Sequence, residues 1–253
     1  MTTTTQQRIQ VGRVPVDVLT FRQALAHIER LVDDGAGGAV FTPNVDHVVQ
    51  AEHDDALVQA YARASLSLAD GAPLLWAARL LRTPLPERIA GADLTLPLLA
   101  LAAQRDWKVA FLGGAPGMAE RAAVVVRRRF GTRVRTVECP VVHVGDEAQV
   151  ARIAASLQPA EPHLLFVALG APKQELLIDR LRPSLPGTVS LGVGAALDFI
   201  AGAVQRAPGW MRRGGLEWAF RLGQEPARLW RRYLVDDPRF ALIVARDLAG
   251  RRG

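Results

Sequence analysis

The sequence predicts an α/β fold: a mainly parallel sheet flanked by helices, with a C-terminal helical appendage. Three observations carry this. Short apolar runs alternate with longer segments of helical period, the pattern of β-α units. The runs are almost wholly apolar rather than apolar at every second residue, as strands buried on both faces require. After about residue 202 the chain changes character, with Pro208, Gly209, Gly214 and Gly215 breaking it before arginine-rich helical segments.

Taken in order, residues 11–19 carry Pro15 inside a β-like stretch and read as an edge strand or hairpin. Residues 39–41 form the first core strand, and 48–63 a helix with Asp54 and Asp55 on its solvated face. Strands at 66–69 and 109–112 enclose a helix at 94–104. Helices at 119–130 and 149–157 flank a strand at 134–137. Strands at 164–169 and 189–193 follow, with a helix opened by Lys173, Gln174 and Glu175 between them. Pro226 and Pro238 sit where tail helices can begin, the second after Asp236-Asp237 as an N-cap. The expected division is an α/β body over 1–202 and an arginine-rich appendage over 203–253.

Composition narrows the class. At 253 residues and 49% hydrophobic, the chain can bury one large core. The single cysteine, Cys139, excludes an internal disulfide and a cysteine-rich metal site. No apolar run is long enough to span a bilayer, and the polar N-terminus lacks a signal-peptide core. A soluble or peripheral, cytoplasmic protein is expected. The net charge of +6 is unevenly placed: residues 1–199 hold 20 charges of each sign, and the tail holds eleven arginines against five carboxylates. Such a local excess suits an anionic partner, or simply a solvated helix face.

In an open parallel sheet, ligands bind beyond the carboxyl ends of the strands. Five predicted strand ends carry polar, glycine-rich or charged groups: Thr42-Pro43-Asn44, Asp70-Gly71, Gly113-Gly114, Gly170 to Glu175, and Gly194 to Asp198. Gly113 and Gly114 suit either a phosphate facing backbone N–H groups or a tight turn needing positive φ. Asp70 suits a helix N-cap or a general base. Asp198 has the same ambiguity, with ribose hydroxyls as its ligand. Gln174 gains little as a cap, and its amide offers a donor and an acceptor to a sugar or phosphate. In the tail, Arg228, Arg231 and Arg232 fall at i, i+3 and i+4 beside an aromatic stripe containing Trp230 and Tyr233. That set suits phospholipid headgroups or a diphosphate, or a helix packing its aromatic face on the body.

Other chemistries lack support. His27, His47, His53, His143 and His163 show no paired ligand spacing, and no D-x-D follows a strand, so no metal site is expected. G-x-S-x-G is absent, which disfavours a serine hydrolase. A nicotinamide oxidoreductase would need G-x-G-x-x-G and an acidic partner, and neither is present. A non-catalytic nucleotide or nucleic-acid binding module would rest on the tail alone. The balanced charge of the body and the lack of a groove-reading motif argue against it.

Read together, these segments resemble the WecG/TagA/CpsF glycosyltransferase family, glycosyltransferase family 26, over about residues 11–240. The resemblance is carried by Phe41-Thr42-Pro43-Asn44, Ala69-Asp70-Gly71, Arg88-Ile89-Ala90-Gly91-Ala92-Asp93 and Phe111-Leu112-Gly113-Gly114. It continues through Gly170-Ala171-Pro172-Lys173-Gln174-Glu175, Leu197-Asp198-Phe199, Arg206-Ala207-Pro208-Gly209-Trp210, Glu217-Trp218 and Arg231-Arg232-Tyr233. It implies a Rossmann-like inverting transferase with no required metal or cofactor, a UDP-sugar donor and a polyprenyl-diphosphate-linked sugar acceptor. It implies Asp70 as base, with Thr42, Asn44, Arg88 and Gln174 lining the same pocket and Asp198 at the nucleotide. It also implies a tail that closes the site and touches the anionic inner face of the membrane. The oligomeric state is left open, a homo-oligomer included. The sequence departs from many relatives at Pro140-Val141-Val142-His143-Val144, where they carry an aromatic ring suited to stacking on uracil, and at Pro73, where some carry glycine.

Overall fold

An apolar run becomes a buried parallel strand when both its faces can be covered by helices; five of the six core runs meet that fate, and the sixth, at 134–137, is a half-exposed edge strand. The computed structural model describes residues 7–137, 142–213 and 215–250, apart from the side chains of Arg213, Arg228 and Arg232. The chain opens on a hairpin, β1 (Arg8–Val11) and β2 (Val14–Asp17), paired antiparallel with Gln10 opposite Pro15. A two-stranded ribbon leaves outer edges unbonded, so proline is tolerated there. The buried carboxylate of Asp17 fastens this hairpin to the core: it accepts from Arg8 Nε at 2.5 Å and from the Ser67 N–H at 2.7 Å.

Helix α1 (Phe21–Asp33) follows, capped by Thr20 and Gln23 in a reciprocal capping box. Its buried Ala24, Ile28 and Val32 recur every fourth residue. Strand β3 (Gly38–Phe41) leads not to one helix over 48–63 but to two, α2 (Val45–Ala51) and α3 (Asp55–Ala62). The break is at Asp54, whose backbone is extended and whose carboxylate accepts the Leu57 N–H at 3.0 Å. Aspartate competes with the helix for backbone donors and so starts helices better than it continues them. Asp54 is a cap, therefore, and not part of a continuous solvated face.

Strand β4 is only Leu66–Ser67. Helices α4 (Ala72–Leu80) and α5 (Gly91–Gln104) then lead to β5 (Val109–Gly113), α6 (Met118–Phe130) and β6 (Val134–Val137). The chain returns through α7 (Glu147–Leu157), β7 (Leu164–Ala168), α8 (Lys173–Leu181), β8 (Val189–Gly192) and the short α9 (Ala196–Ile200). The sheet order is β4-β3-β8-β7-β5-β6, all parallel. Two apolar clusters sandwich it. Phe41, Leu112 and Val167 face one cluster with α2, α3, α7 and α8, while Val40, Phe111 and Phe166 face the other with α1, α5, α6 and α9. The chain thus leaves β3 and β7 toward one face and β8 and β5 toward the other. A crevice opens where adjacent connections diverge, at the carboxyl edge of the sheet.

The tail contributes α10 (Gly209–Arg213), α11 (Glu217–Gln224), α12 (Pro226–Arg231), a π-helical turn (Arg232–Asp236) and α13 (Arg239–Gly250). Pro226 opens α12 and Pro238 directly precedes α13. Helix α13 returns to the body: Phe240, Ile243 and Val244 are buried in the first cluster, and Asp247 Oδ2 accepts the Gly12 N–H at 2.6 Å. Among the described residues no helix is long and apolar enough to cross a membrane.

Candidate active site

A cleft of about 880 Å³ lies at the carboxyl edge of the sheet, with the tail forming its far wall. Seven residues expected at a site line it together: Thr42, Asn44, Asp70, Arg88, Gly114, Gln174 and Asp198. Gly113 does not line it. A Cβ there would sit 2.6 Å from Leu169 Cδ2 and 2.9 Å from the Ala168 carbonyl, so close approach of β5 to β7 accounts for this glycine. Gly114 has φ +85 and gives its N–H to the Ala168 carbonyl at 2.7 Å. Arg231 is exposed and also absent from the lining, and the side chains of Arg228 and Arg232 lie outside the described residues. Pro140 and Val141 lie outside them too, while His143 is exposed and away from the cleft. Aromatic rings reach the cleft from elsewhere: Phe199 of α9 lines it, and so do Trp218 and Tyr233 of the tail, with ring centroids 5.9 Å apart.

Asp70 does not cap a helix. Helix α4 starts from Gly71, whose φ of +113 suits glycine alone, and no side chain caps it. The Asp70 N–H is tied to the Pro43 carbonyl at 2.8 Å, and its carboxylate meets Arg88 Nη1 at 3.2 Å. Arg88 also donates to Glu217 at 3.2 Å and to Asp93 at 2.7 Å. Two tail arginines join them: Arg206 lies 2.8 Å from Asp93 and 3.7 Å from Glu217, and Arg212 lies 3.2 Å from Asp93. Three guanidiniums and three carboxylates thus form one network across the body–tail junction.

Burial at the bottom of the cleft pushes the Asp70 carboxyl up to about 6. Arg88 and His47 pull it down, and Glu217 and Asp93 push it further up. Its side chain is 28% exposed, and that exposed part faces the cleft. A carboxylate that ionises near neutrality is a better proton acceptor than an ordinary surface aspartate.

Under the cleft floor runs a second, buried chain. Asn44 caps α2, its Oδ1 accepting the Asp46 N–H at 3.1 Å, and its own N–H lies 3.2 Å from His47 Nδ1. His47 Nε2 stands 3.2 Å from Glu175 Oε1, which also accepts Gln174 Nε2 at 2.8 Å. Gln174 Oε1 then accepts the Gly194 N–H at 3.0 Å. Burial alone would raise the Glu175 carboxyl, but His47 and the hydrogen bond from Gln174 outweigh it and hold it below its ordinary value. Two glycines make room. A Cβ on Gly192 would lie 2.9 Å from Gln174 Nε2, and one on Gly91 would lie 2.8 Å from the Gly192 carbonyl and 3.1 Å from Thr42 Oγ1.

Sequence reasoning did not single out Asp93, Glu217, Arg206, Arg212, His47 or Glu175 for a role. Asp93, Glu217, Arg206 and Glu175 stand in segments that carry the family resemblance, which was the available signal, whereas Arg212 and His47 lie outside them. Helix periodicity instead favoured the regular spacing of Arg228, Arg231 and Arg232 over two isolated arginines. Among the described residues no group of three or more His, Cys, Asp or Glu side chains is placed to hold a metal ion.

The model of the "Glycosyl transferase WecG/TagA/CpsF family" matches residues 9–253. Two curated relatives carry the name N-acetylglucosaminyldiphosphoundecaprenol N-acetyl-beta-D-mannosaminyltransferase. One, from Bacillus spizizenii (strain ATCC 23059 / NRRL B-14472 / W23), is 34% identical over 222 residues, 87% of this chain and 84% of the relative. The other, from Bacillus subtilis (strain 168), is 32% identical over 216 residues, 85% of this chain and 82% of the relative.

Proposed function

The chain belongs to the WecG/TagA/CpsF glycosyltransferase family, and on that premise we propose that it transfers an N-acetylmannosamine-type sugar from a UDP-sugar to a polyprenyl-diphosphate-linked N-acetylglucosamine. The single observation that supports the chemistry best is Asp70: a strand-end carboxyl shifted to about 6, at the bottom of a cleft walled by arginines. The acceptor hydroxyl attacks the donor's anomeric carbon in line with the departing diphosphate. The new C–O bond forms as the bond to UDP breaks, and the configuration inverts. Asp70 takes the hydroxyl proton.

The leaving diphosphate needs cationic partners, and guanidinium matches its geometry bidentately. Arg88, Arg206 and Arg212 converge on the cleft. They already face Asp70, Asp93 and Glu217, so an incoming diphosphate competes with carboxylates for the same donors. Asp198, Thr42, Asn44 and Gly114 complete the donor site in this reading, with Gln174 beside the reacting centre. Trp218 and Tyr233 offer rings to the uracil or the sugar.

The acceptor's lipid requires a membrane-facing mouth. Trp210, Trp218 and Trp230 are 62%, 43% and 51% exposed on the arginine-rich tail. Exposed aromatics among cations suit the interface of an anionic leaflet, so we place the enzyme peripherally at the inner face. The test is a screen of UDP-sugars with a short-chain lipid-diphosphate N-acetylglucosamine, scored by UDP release and by mass of the product. Release of UDP with a disaccharide-lipid product is expected. No turnover with any N-acetylhexosamine donor overturns the reading.

A further inference from the structure

We infer that Glu175 is a positioning residue: clamped by His47, its buried carboxylate orients the Gln174 amide and through it holds the ends of β3, β7 and β8 as one rigid floor for the cleft. The inference rests on the transferase reading for its kinetic consequence, and on geometry alone for the clamp.

The orientation argument is one of donors and acceptors. An amide has one end that donates and one that accepts. Gln174 lies between a carboxylate and a backbone N–H: Nε2 is 2.8 Å from Glu175 Oε1, and Oε1 is 3.0 Å from the Gly194 nitrogen. Turned over, the amide would set its oxygen against the carboxylate and its N–H groups against an N–H. Only one orientation satisfies both neighbours. Replacing the carboxylate with an apolar group would free the amide to rotate.

The carboxylate is itself costly to bury, because Glu175 is 0% exposed and a buried carboxylate needs hydrogen-bond donors in place of water. His47, 4% exposed, meets it with a hydrogen bond through Nε2 at 3.2 Å, and the Asn44 N–H lies against its other nitrogen. The charged and polar groups therefore run Asn44, His47, Glu175, Gln174, Gly194 without a gap. Asn44 follows β3, Gln174 and Glu175 follow β7, and Gly194 follows β8 and turns the chain toward Asp198. These three strand ends carry Thr42, Asn44, Gln174 and Asp198 to the cleft. Small displacements of such groups can cost about 10²-fold in rate.

The test compares Glu175→Ala, Glu175→Gln, Gln174→Ala and the Gln174→Ala/Glu175→Ala double variant, each assayed well below its melting temperature. Because Glu175 is taken to act through Gln174, each alanine variant should lower kcat by about 10–100-fold while donor KM moves less. The double variant should be no slower than the slower single one, since residues acting as a unit are not additive. Glu175→Gln keeps an acceptor oxygen at the same place and should recover most of the lost kcat. An activity-free readout is hydrogen exchange at the Gly194 amide, which should quicken in Glu175→Ala and stay protected in Glu175→Gln. If Glu175→Ala does not fold, Glu175→Gln and Gln174→Ala carry the comparison on the same amide. Losses that multiply in the double variant, a glutamine variant as slow as alanine, or Gly194 exchange indifferent to Glu175 each overturn the clamp. A wild-type chain that transfers no sugar overturns the functional reading instead, and Gly194 exchange then judges the clamp separately.

Discussion

At the scale of single residues, Asp70 carries opposite consequences for activity and stability. Its carboxyl is shifted up from 3.8 to about 6 on folding. The folded chain therefore holds more protons than the unfolded chain between those values, and stability falls as pH rises through that window. Above it, the ionised aspartate costs on the order of 1–3 kcal/mol. Asp70→Asn, which carries no charge, should melt no lower than wild type at pH 7 while losing about 10²–10⁴ in kcat. A melting curve and a turnover assay on the same preparation decide it, and wild-type turnover in the variant removes Asp70 from the base role. The wild-type rate should climb with pH to a plateau above about 6, because the base acts only when ionised. A log kcat profile flat from pH 5 to 8 would contradict this.

At the scale of elements, the two adjacent glycines at the end of β5, Gly113 within the strand and Gly114 just past it, should behave differently. Gly113 and Gly114 both have positive φ, so alanine at either position is strained. Only at Gly113 would the new Cβ also strike backbone, 2.9 Å from the Ala168 carbonyl; at Gly114 the nearest atom is Met118 Cβ at 3.4 Å. Gly113→Ala should therefore cost several kcal/mol of stability, against about 1 kcal/mol for Gly114→Ala. Gly114 lines the cleft, so its variant should in addition weaken UDP binding at temperatures where it is folded. Denaturant melts with calorimetric UDP titration separate the two. The break between α2 and α3 offers a control away from the cleft: Asp54→Ala removes a cap and should cost about 1 kcal/mol while kcat stays level.

At the scale of the molecule, the tail has a part that completes the core and a part that faces outward. Deleting residues 239–253 removes Phe240, Ile243 and Val244 from the apolar cluster and the Asp247 bond to Gly12. Buried side chains of this size stabilise by about 1.5–3 kcal/mol each, so the truncated chain should unfold or lose several kcal/mol. Point changes on the outer part are the cleaner probe of the membrane. Trp210→Ser with Trp230→Ser should weaken binding to anionic liposomes at nearly unchanged melting temperature. Salt should weaken wild-type binding, since the Debye length falls from about 10 Å at 0.1 M to about 3 Å at 1 M. Undiminished liposome binding by the double variant would leave the tryptophans without that role.

What the sequence determined by itself was set by local chemistry. Apolar runs of strand length between amphipathic segments have one economical arrangement, a parallel sheet covered on both faces, and polar groups just past the strands must gather at its carboxyl edge. Thr42, Asn44, Asp70, Gln174 and Asp198 were legible for that reason. What only the tertiary structure decided depends on residues distant in the chain. Arg88 meets Glu217 and Arg206 meets Asp93 because the tail folds back over the sheet. His47 meets Glu175, 128 positions away, because β3 and β7 both flank β8. Gly113 is accounted for by a neighbouring strand, a contact that no local pattern encodes. Periodicity sees neighbours along one helix, so it picked out Arg228, Arg231 and Arg232. A cleft collects side chains by position in space, so it took Arg88, Arg206 and Arg212.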